Sequence, residues 1–208
     1  QSWLHGAEML VRTGTTTVAD IAAVPQLLPK AWNPTPLRVF SFLEMISVKP
    51  SRQPGRVLQE AVDRIESLGA ARCRAGLSPH APYTVCEDNL AKIAILAAEL
   101  DCVVHIHLHE TAGEVLLAVE QNGERPLDTL NRLGLLGPRT QCVHMTDLGE
   151  QDIALLAATG AHVVHCPQSN MKLASGSCRV SDLLSRGVNV ALGTDSAASN
   201  NDLNLFGE

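Results

Sequence analysis

Short β-branched segments alternate with longer segments of helical periodicity along the chain, and this alternation constrains the fold more than any other feature. The predicted strands cover residues 15–20, 37–42, 72–77, 102–108, 140–145, 162–166 and 188–192. Between them, apolar residues three and four positions apart predict helices, for example at 57–68, 89–100 and 150–159. Such strand–helix–strand repeats join parallel strands through right-handed crossovers.

Seven strands are one fewer than a closed parallel barrel contains. We therefore predict an α/β fold, a (β/α)8 TIM-type barrel that occupies residues 1–208 as one partial domain and lacks strand one. A doubly wound open sheet is the alternative, but no glycine-rich phosphate loop follows an early strand. The chain also begins with Gln1 rather than Met, which agrees with a fragment.

The composition narrows the choice of partners and compartment. The chain has 45% hydrophobic residues, a formal net charge of -6 and no long block of either sign. Nucleic acids and anionic membranes bind clustered Lys and Arg, so we expect neither as a partner. The six cysteines form no CxxC pair, and there is no signal peptide, which together favour a cytoplasmic protein with reduced thiols. We expect a small-molecule substrate and allow for a homo-oligomer.

Three histidines and a glutamate follow one another in the segment His105, His107, His109 and Glu110. Residues two apart share one face of a strand, so the three imidazoles are predicted to point the same way. Burying them without a partner is costly, and a metal such as zinc or iron would be that partner. The alternative is a set of hydrogen bonds within a polar barrel core.

Other polar residues recur at the carboxyl ends of predicted strands, where a parallel barrel has its functional rim. His80 lies on a loop stiffened by prolines, and His144, His165 and Asp195 end three later strands. Asp195 alone could equally be the cap of a following helix. His5 and His162 do not share this position and are predicted to be structural or exposed.

Four strings carry a resemblance to a known family. They are Pro-His-Ala-Pro-Tyr at 79–83, His-Leu-His-Glu-Thr at 107–111, Ser-Asn-Met-Lys-Leu-Ala-Ser-Gly at 169–176, and Gly-Thr-Asp with Ser-Asn-Asn within 193–201. In them the chain resembles the amidohydrolase superfamily. Within it, the chain is most similar to the branch of 5-methylthioadenosine/S-adenosylhomocysteine deaminases and s-triazine chlorohydrolases.

The resemblance implies a role for each matching residue. His107 and Asp195 would be metal ligands for Zn²⁺ or Fe²⁺, and Asp195 would also be the base that takes a proton from bound water. Glu110 would contact the substrate and pass the proton to a ring nitrogen, and His80 would bind the substrate. His144 would act beside the metal water, although many relatives place that histidine where this chain has Gln141.

The chain also departs from the family pattern. Relatives carry a His-x-His metal-binding pair on strand one, and a small β-sandwich built from both termini; neither is found here, and Ser196 replaces a usual Gly. The resemblance implies a metal-dependent hydrolytic deaminase that acts on an aminopurine or adenine nucleoside ring. The first alternative is a hydrolase of another C–N or C–Cl bond, triazine-type or cyclic amide, and the second is a catalytically inactive binding or structural barrel.

Overall fold

A computed structural model of the protein describes residues 2–22, 35–46, 59, 63 and 73–208. Its seven strands form one parallel sheet in the order β1 to β7. The strands are β1 (Thr17–Ala22), β2 (Arg38–Met45), β3 (Cys73–Pro79), β4 (Val104–Leu108), β5 (Thr140–His144), β6 (His162–His165) and β7 (Val190–Leu192). All seven predicted strands are confirmed, and their ends differ from the predicted ends by at most three residues.

Helices follow the strands along the chain. They are α1 (Ser2–Arg12), α2 (Glu87–Glu99), α3 (Ala112–Asn122), α4 (Pro126–Arg132), α5 (Glu150–Thr159), α6 (Pro167–Leu173) and α7 (Val180–Ser185). The predicted helices 89–100 and 150–159 correspond to α2 and α5. The predicted helix 57–68 lies outside the described residues except for Gln59 and Asp63, which are helical and joined by a 2.8 Å side-chain hydrogen bond.

The sheet has the strand order of a (β/α) barrel, with β1 and β7 as its two edges within the described residues. Each strand pairs in parallel with the next one in sequence, so all seven carboxyl ends lie on the same side. The predicted partial barrel is confirmed in this form. In the described ranges, none of the helices combines the length and apolar character that a membrane span requires.

The main core lies between the sheet and the helices, because each strand turns alternate side chains toward the helical layer. Ile106 and Leu108 of β4 are fully buried there, together with side chains from α2, α4 and α5. Burying an aliphatic side chain of this size is worth about 1.5–3 kcal/mol. His105 and His107, which alternate with these two residues along β4, face the opposite side of the sheet, where a cavity lies.

Gly76 in β3 lies where the sheet has no room for a side chain. A Cβ added at this position would lie 2.6 Å from the Phe42 ring and 2.7 Å from the carbonyl oxygen of Val103. The Phe42 ring is itself buried, and the Val103 oxygen belongs to the backbone, so neither can move away at low cost. The register of β2, β3 and β4 therefore depends on a glycine here.

We predict that Gly76→Ala lowers the free energy of unfolding by about 1–3 kcal/mol, the usual cost of overpacking. Gly137→Ala is the matched control, because a Cβ at that glycine would meet nothing within 4 Å. Urea denaturation of both variants tests this difference. Equal unfolding midpoints for the two variants would contradict the close packing at Gly76.

Candidate metal site and active site

A cavity of about 650 Å³ lies on the inner face of the sheet. Inward-facing residues of β4 and β5 line it, among them His105, His107 and Gln141, and Asp195 lines it after β7. The cavity therefore combines an apolar strand lining with a few polar groups, which is the usual character of a ligand site.

The ring of His107 is oriented by a main-chain oxygen. Its Nδ1–H donates to the carbonyl oxygen of His80 at 2.8 Å, and the His107 backbone N–H donates to the same oxygen at 3.0 Å. Because Nδ1 carries the proton, Nε2 keeps a lone pair. A carbonyl that binds the other ring nitrogen is the usual support of a metal-binding histidine. His107 thus fits the role of a metal ligand through Nε2.

The carboxylate of Asp195 is held by two hydroxyl groups. Ser169 and Ser199 donate to Oδ2 at 2.6 and 2.7 Å, and the Ser196 N–H donates to Oδ1 at 2.8 Å. Burial acts to raise the pKa of Asp195, but the two serine hydrogen bonds and the nearby His144 outweigh it and lower the pKa. No α-helix begins between residues 196 and 208, so the helix-cap alternative is wrong.

Glu110 and His144 lie close together, with His144 Nε2 3.9 Å from Glu110 Oε1. Asn170 Nδ2 donates to His144 Nδ1 at 3.1 Å, so the neutral ring carries its proton on Nε2, the nitrogen toward Glu110. Burial lowers the pKa of His144, which favours this neutral form. The His144 ring also stacks on His107 with a centroid distance of 5.6 Å.

His80 lies next to this group on the loop after β3, with its ring centroid 4.9 Å from that of His107. The Thr84 hydroxyl donates to the Ala81 carbonyl, so it accepts from His80 Nδ1–H at 2.9 Å. This leaves His80 Nε2 as an acceptor for a substrate N–H or O–H. Burial lowers the pKa of His80 and thus favours the neutral ring.

The expectation that His105, His107 and His109 share one face is wrong for His109. Its backbone has a left-handed φ of 49°, and its ring is fully buried away from the cavity. There Nδ1–H donates to the Asp147 carbonyl at 2.9 Å, and Nε2 accepts from the Leu127 N–H at 3.2 Å. Strand β4 ends at Leu108, so His109 no longer follows the alternation of the strand. Its ring instead connects the backbone at Asp147 with that at Leu127.

The positions of three more histidines can be compared with the predictions. His105 lines the cavity and donates to Gln141 Oε1 at 2.8 Å, and burial lowers its pKa to about 4. His165 ends β6 as expected, but its neighbours Val164 and Cys166 line the cavity instead. His162 lies at the start of the same strand and bonds the Pro138 carbonyl, which agrees with the predicted structural role.

Comparison with known proteins identifies the family. A model described as "Amidohydrolase family" matches residues 2–208. The chain belongs to the amidohydrolase family. It is 45% identical over 207 residues to a 5-methylthioadenosine/S-adenosylhomocysteine deaminase of Teredinibacter turnerae, an alignment that covers 97% of this chain and 46% of that protein. The chain thus spans about half the length of the curated relatives it matches.

Solved structures of two other enzymes share this fold. An adenosine deaminase from Xanthomonas campestris with bound zinc is 38% identical, with a TM-score of 0.93 over 100% of this chain and 48% of that one. A zinc-bound atrazine chlorohydrolase from Arthrobacter aurescens has a TM-score of 0.90 over 98% of this chain and 51% of that one. At 20% identity, the second comparison shows the fold alone.

Two of the predicted metal ligands have side-chain donor groups that suit a metal ion. His107 and Asp195 line the same cavity, and His144 interacts electrostatically with both. Zinc sites have three or four protein ligands, and across the described residues no three His, Cys, Asp or Glu side chains are grouped to hold a metal ion. An imidazole with a free Nε2 and an ionised carboxylate fit two of those positions.

Sequence reasoning missed several residues that support the site. Ser169 and Asn170 stand in one of the matching strings but received no role, and Ser199 stands in another. Glu114 and Thr84 were not singled out at all. Each of them acts through a hydrogen bond to a candidate residue, and such a contact leaves no periodic signal in the sequence.

One further acid, Asp20 of β1, lines the same cavity far from the proposed ligands in sequence. Trp3 of α1 donates its indole N–H to Asp20 Oδ2 at 3.1 Å. Burial raises the pKa of Asp20 from 3.8, and the Trp3 hydrogen bond offsets only part of this rise. The ionised form of Asp20 is therefore less favourable in the folded protein than in the unfolded chain.

We predict that Asp20→Asn gains stability relative to the wild type as the pH rises from 4 to 7. Because the folded pKa is raised, the contribution of Asp20 is fully present below the unfolded value of 3.8 and is lost as the pH rises through the folded value. Urea denaturation at a series of pH values measures this difference, and the exposed Asp128→Asn is the control. Parallel stability curves for Asp20→Asn and the wild type would disprove it.

Proposed function

We propose that this protein is a zinc-dependent hydrolytic deaminase that removes the amino group of an adenine nucleoside of the 5-methylthioadenosine or S-adenosylhomocysteine type. One observation carries the proposal: His107, Asp195, Glu110 and His144 meet at the carboxyl ends of β4, β5 and β7. The identity of 45% to a named deaminase supports the choice of substrate class.

His107 through Nε2 and Asp195 through its carboxylate would hold the metal. Zinc prefers these donor types, and iron(II) accepts the same imidazole and carboxylate groups. When bound, zinc would lower the pKa of a water molecule toward neutrality, and the deprotonated water would be the nucleophile. The bond from His107 Nδ1 to the His80 carbonyl supports this role, because it keeps the ligand ring in one tautomer.

The side chains of the site divide the proton transfers between them. Asp195, kept ionised by Ser169 and Ser199, would accept the proton of the attacking water. Glu110 would donate a proton to the ring nitrogen next to the carbon under attack, and His144 Nε2–H faces its carboxylate. An acid and a base at opposite sides suit hydrolytic deamination, since the nucleophile loses a proton while the leaving amine gains one.

The substrate would be held at the same rim. His80 Nε2 is free to accept a hydrogen bond from it. The reaction adds water at the carbon that bears the amino group, and ammonia leaves as the ring carbonyl forms.

An assay of the whole protein separates this proposal from its alternatives. Ammonia release from adenine nucleosides is expected, with no chloride release from a chlorotriazine. We rank ammonia release above chloride release because the chain is 45% identical to a relative named as a deaminase but only 20% identical to the atrazine chlorohydrolase. Chloride release without ammonia would favour the triazine alternative. Neither product, with no bound metal, would favour an inactive barrel.

We predict that His107→Gln and Asp195→Asn each lower the affinity for zinc by roughly tenfold or more, because each removes a ligand. His5→Gln is the matched control, since His5 is exposed on α1 and distant in sequence from the site. Elemental analysis after dialysis against a chelator measures the zinc that remains. Equal zinc in all three variants would exclude the proposed ligands.

We also predict that Glu110→Gln keeps its zinc but lowers kcat for ammonia release by about 10²–10⁴-fold, the usual effect of losing a general acid or base. Glu120→Gln on the exposed face of α3 is the control and should match the wild type. Steady-state kinetics with elemental analysis of the same samples tests both statements. A fully active Glu110→Gln enzyme would remove Glu110 from the proposed mechanism.

A further inference from the structure

Glu114, in the first turn of α3, binds the backbone of the segment that carries Glu110. Its Oε2 accepts from the Glu110 N–H at 2.7 Å, and its Oε1 accepts from the His109 N–H at 3.2 Å. In an ordinary capping box the acid binds the N–H of the N-cap residue itself. Here the N-cap is Thr111, so the Glu114 carboxylate reaches one and two residues farther back.

This backbone segment needs such a partner, because it turns sharply out of β4. The left-handed φ of 49° at His109 costs about 1–2 kcal/mol for a non-glycine residue. The carbonyl of Glu110 is bound as well, by the Thr146 hydroxyl at 2.8 Å. The backbone of Glu110 is thus fixed at its N–H by Glu114 and at its carbonyl by Thr146.

We propose that Glu114 is a positioning residue for Glu110. By binding two successive N–H groups with its two carboxylate oxygens, it holds the Glu110 side chain opposite His144 Nε2. This inference rests on the proposed function, which gives Glu110 its part in proton transfer.

The environment of Glu114 agrees with a role beyond helix capping. Burial raises its pKa to about 7, although the N–H groups of Glu110 and His109 act to lower it. The protein thus keeps a carboxyl group in a place where its charge is disfavoured. Helix α3 already has the Thr111 hydroxyl as a cap, since this oxygen accepts from the Glu114 N–H at 3.1 Å.

Kinetics of the zinc-loaded whole protein with an adenine nucleoside tests the inference. Glu114→Ala should lower kcat by about 10- to 100-fold, since a misplaced group costs up to about 10²-fold, and should leave KM within about threefold. Glu114→Gln should lie between Glu114→Ala and the wild type, because its amide oxygen can replace only one of the two acceptors.

Two controls separate positioning from helix stability. Thr111→Ala removes the N-cap and should lower stability by about 1 kcal/mol while kcat stays within about twofold of the wild type. Glu120→Ala removes an exposed carboxylate from the same helix and should change neither quantity. An equal loss of kcat in Thr111→Ala and Glu114→Ala, or an unchanged kcat in Glu114→Ala, would overturn the inference.

Hydrogen exchange provides a measurement that does not depend on activity. The backbone amides of His109 and Glu110 should exchange faster in Glu114→Ala than in the wild type, and Thr111→Ala should not share this change. If the wild type released no ammonia, the proposed function would fail, and exchange would still decide whether Glu114 holds this backbone. Unchanged exchange in Glu114→Ala would overturn the inference in either case.

Discussion

The parallel pairing of the strands determines where the candidate functional residues of the described chain lie. All seven strands run in one direction, so their carboxyl ends and the loops that follow share one edge of the sheet. His80, Glu110, His144 and Asp195 are far apart in the chain but come together at this edge. The side-chain period of two then separates the apolar residues under the helices from the polar ones in the cavity.

The sequence was sufficient to predict the strands and the edge on which the polar residues lie. The strands were predictable because most of these segments, five to seven residues long, are rich in apolar and β-branched residues and alternate regularly with helical segments. The positions of His107 and Asp195 were predictable for the same reason. His107 alternates with apolar residues within a strand, and Asp195 comes shortly after the end of an apolar strand. The amidohydrolase strings added the chemical roles, which the periodicity alone does not carry.

The orientation of residues at and just beyond the strand ends could not be predicted in this way. His144 and Cys142 are two residues apart in β5 and would be expected to face the same side of the sheet. Cys142 packs in the main core beneath the helices, whereas His144 has a φ of 75° and its ring stacks on His107. His109 has a similar backbone conformation but turns its ring away from the cavity. A left-handed residue interrupts the alternation of side chains between the two faces of a strand. The contacts that His109 and His144 make therefore depend on segments distant in the sequence, which the local pattern does not reveal.

The bond between His107 and the carbonyl of His80 has a consequence for how such a site can change. The atom that sets the tautomer of the ring belongs to the main chain, so no substitution at position 80 deletes it. If His80 binds the substrate and His107 the metal, as proposed, the side chain at position 80 could change with the substrate while Nε2 of His107 keeps its lone pair. In the proposed site, substrate selectivity and metal binding would then be separable traits, open to independent mutation, although both depend on residue 80.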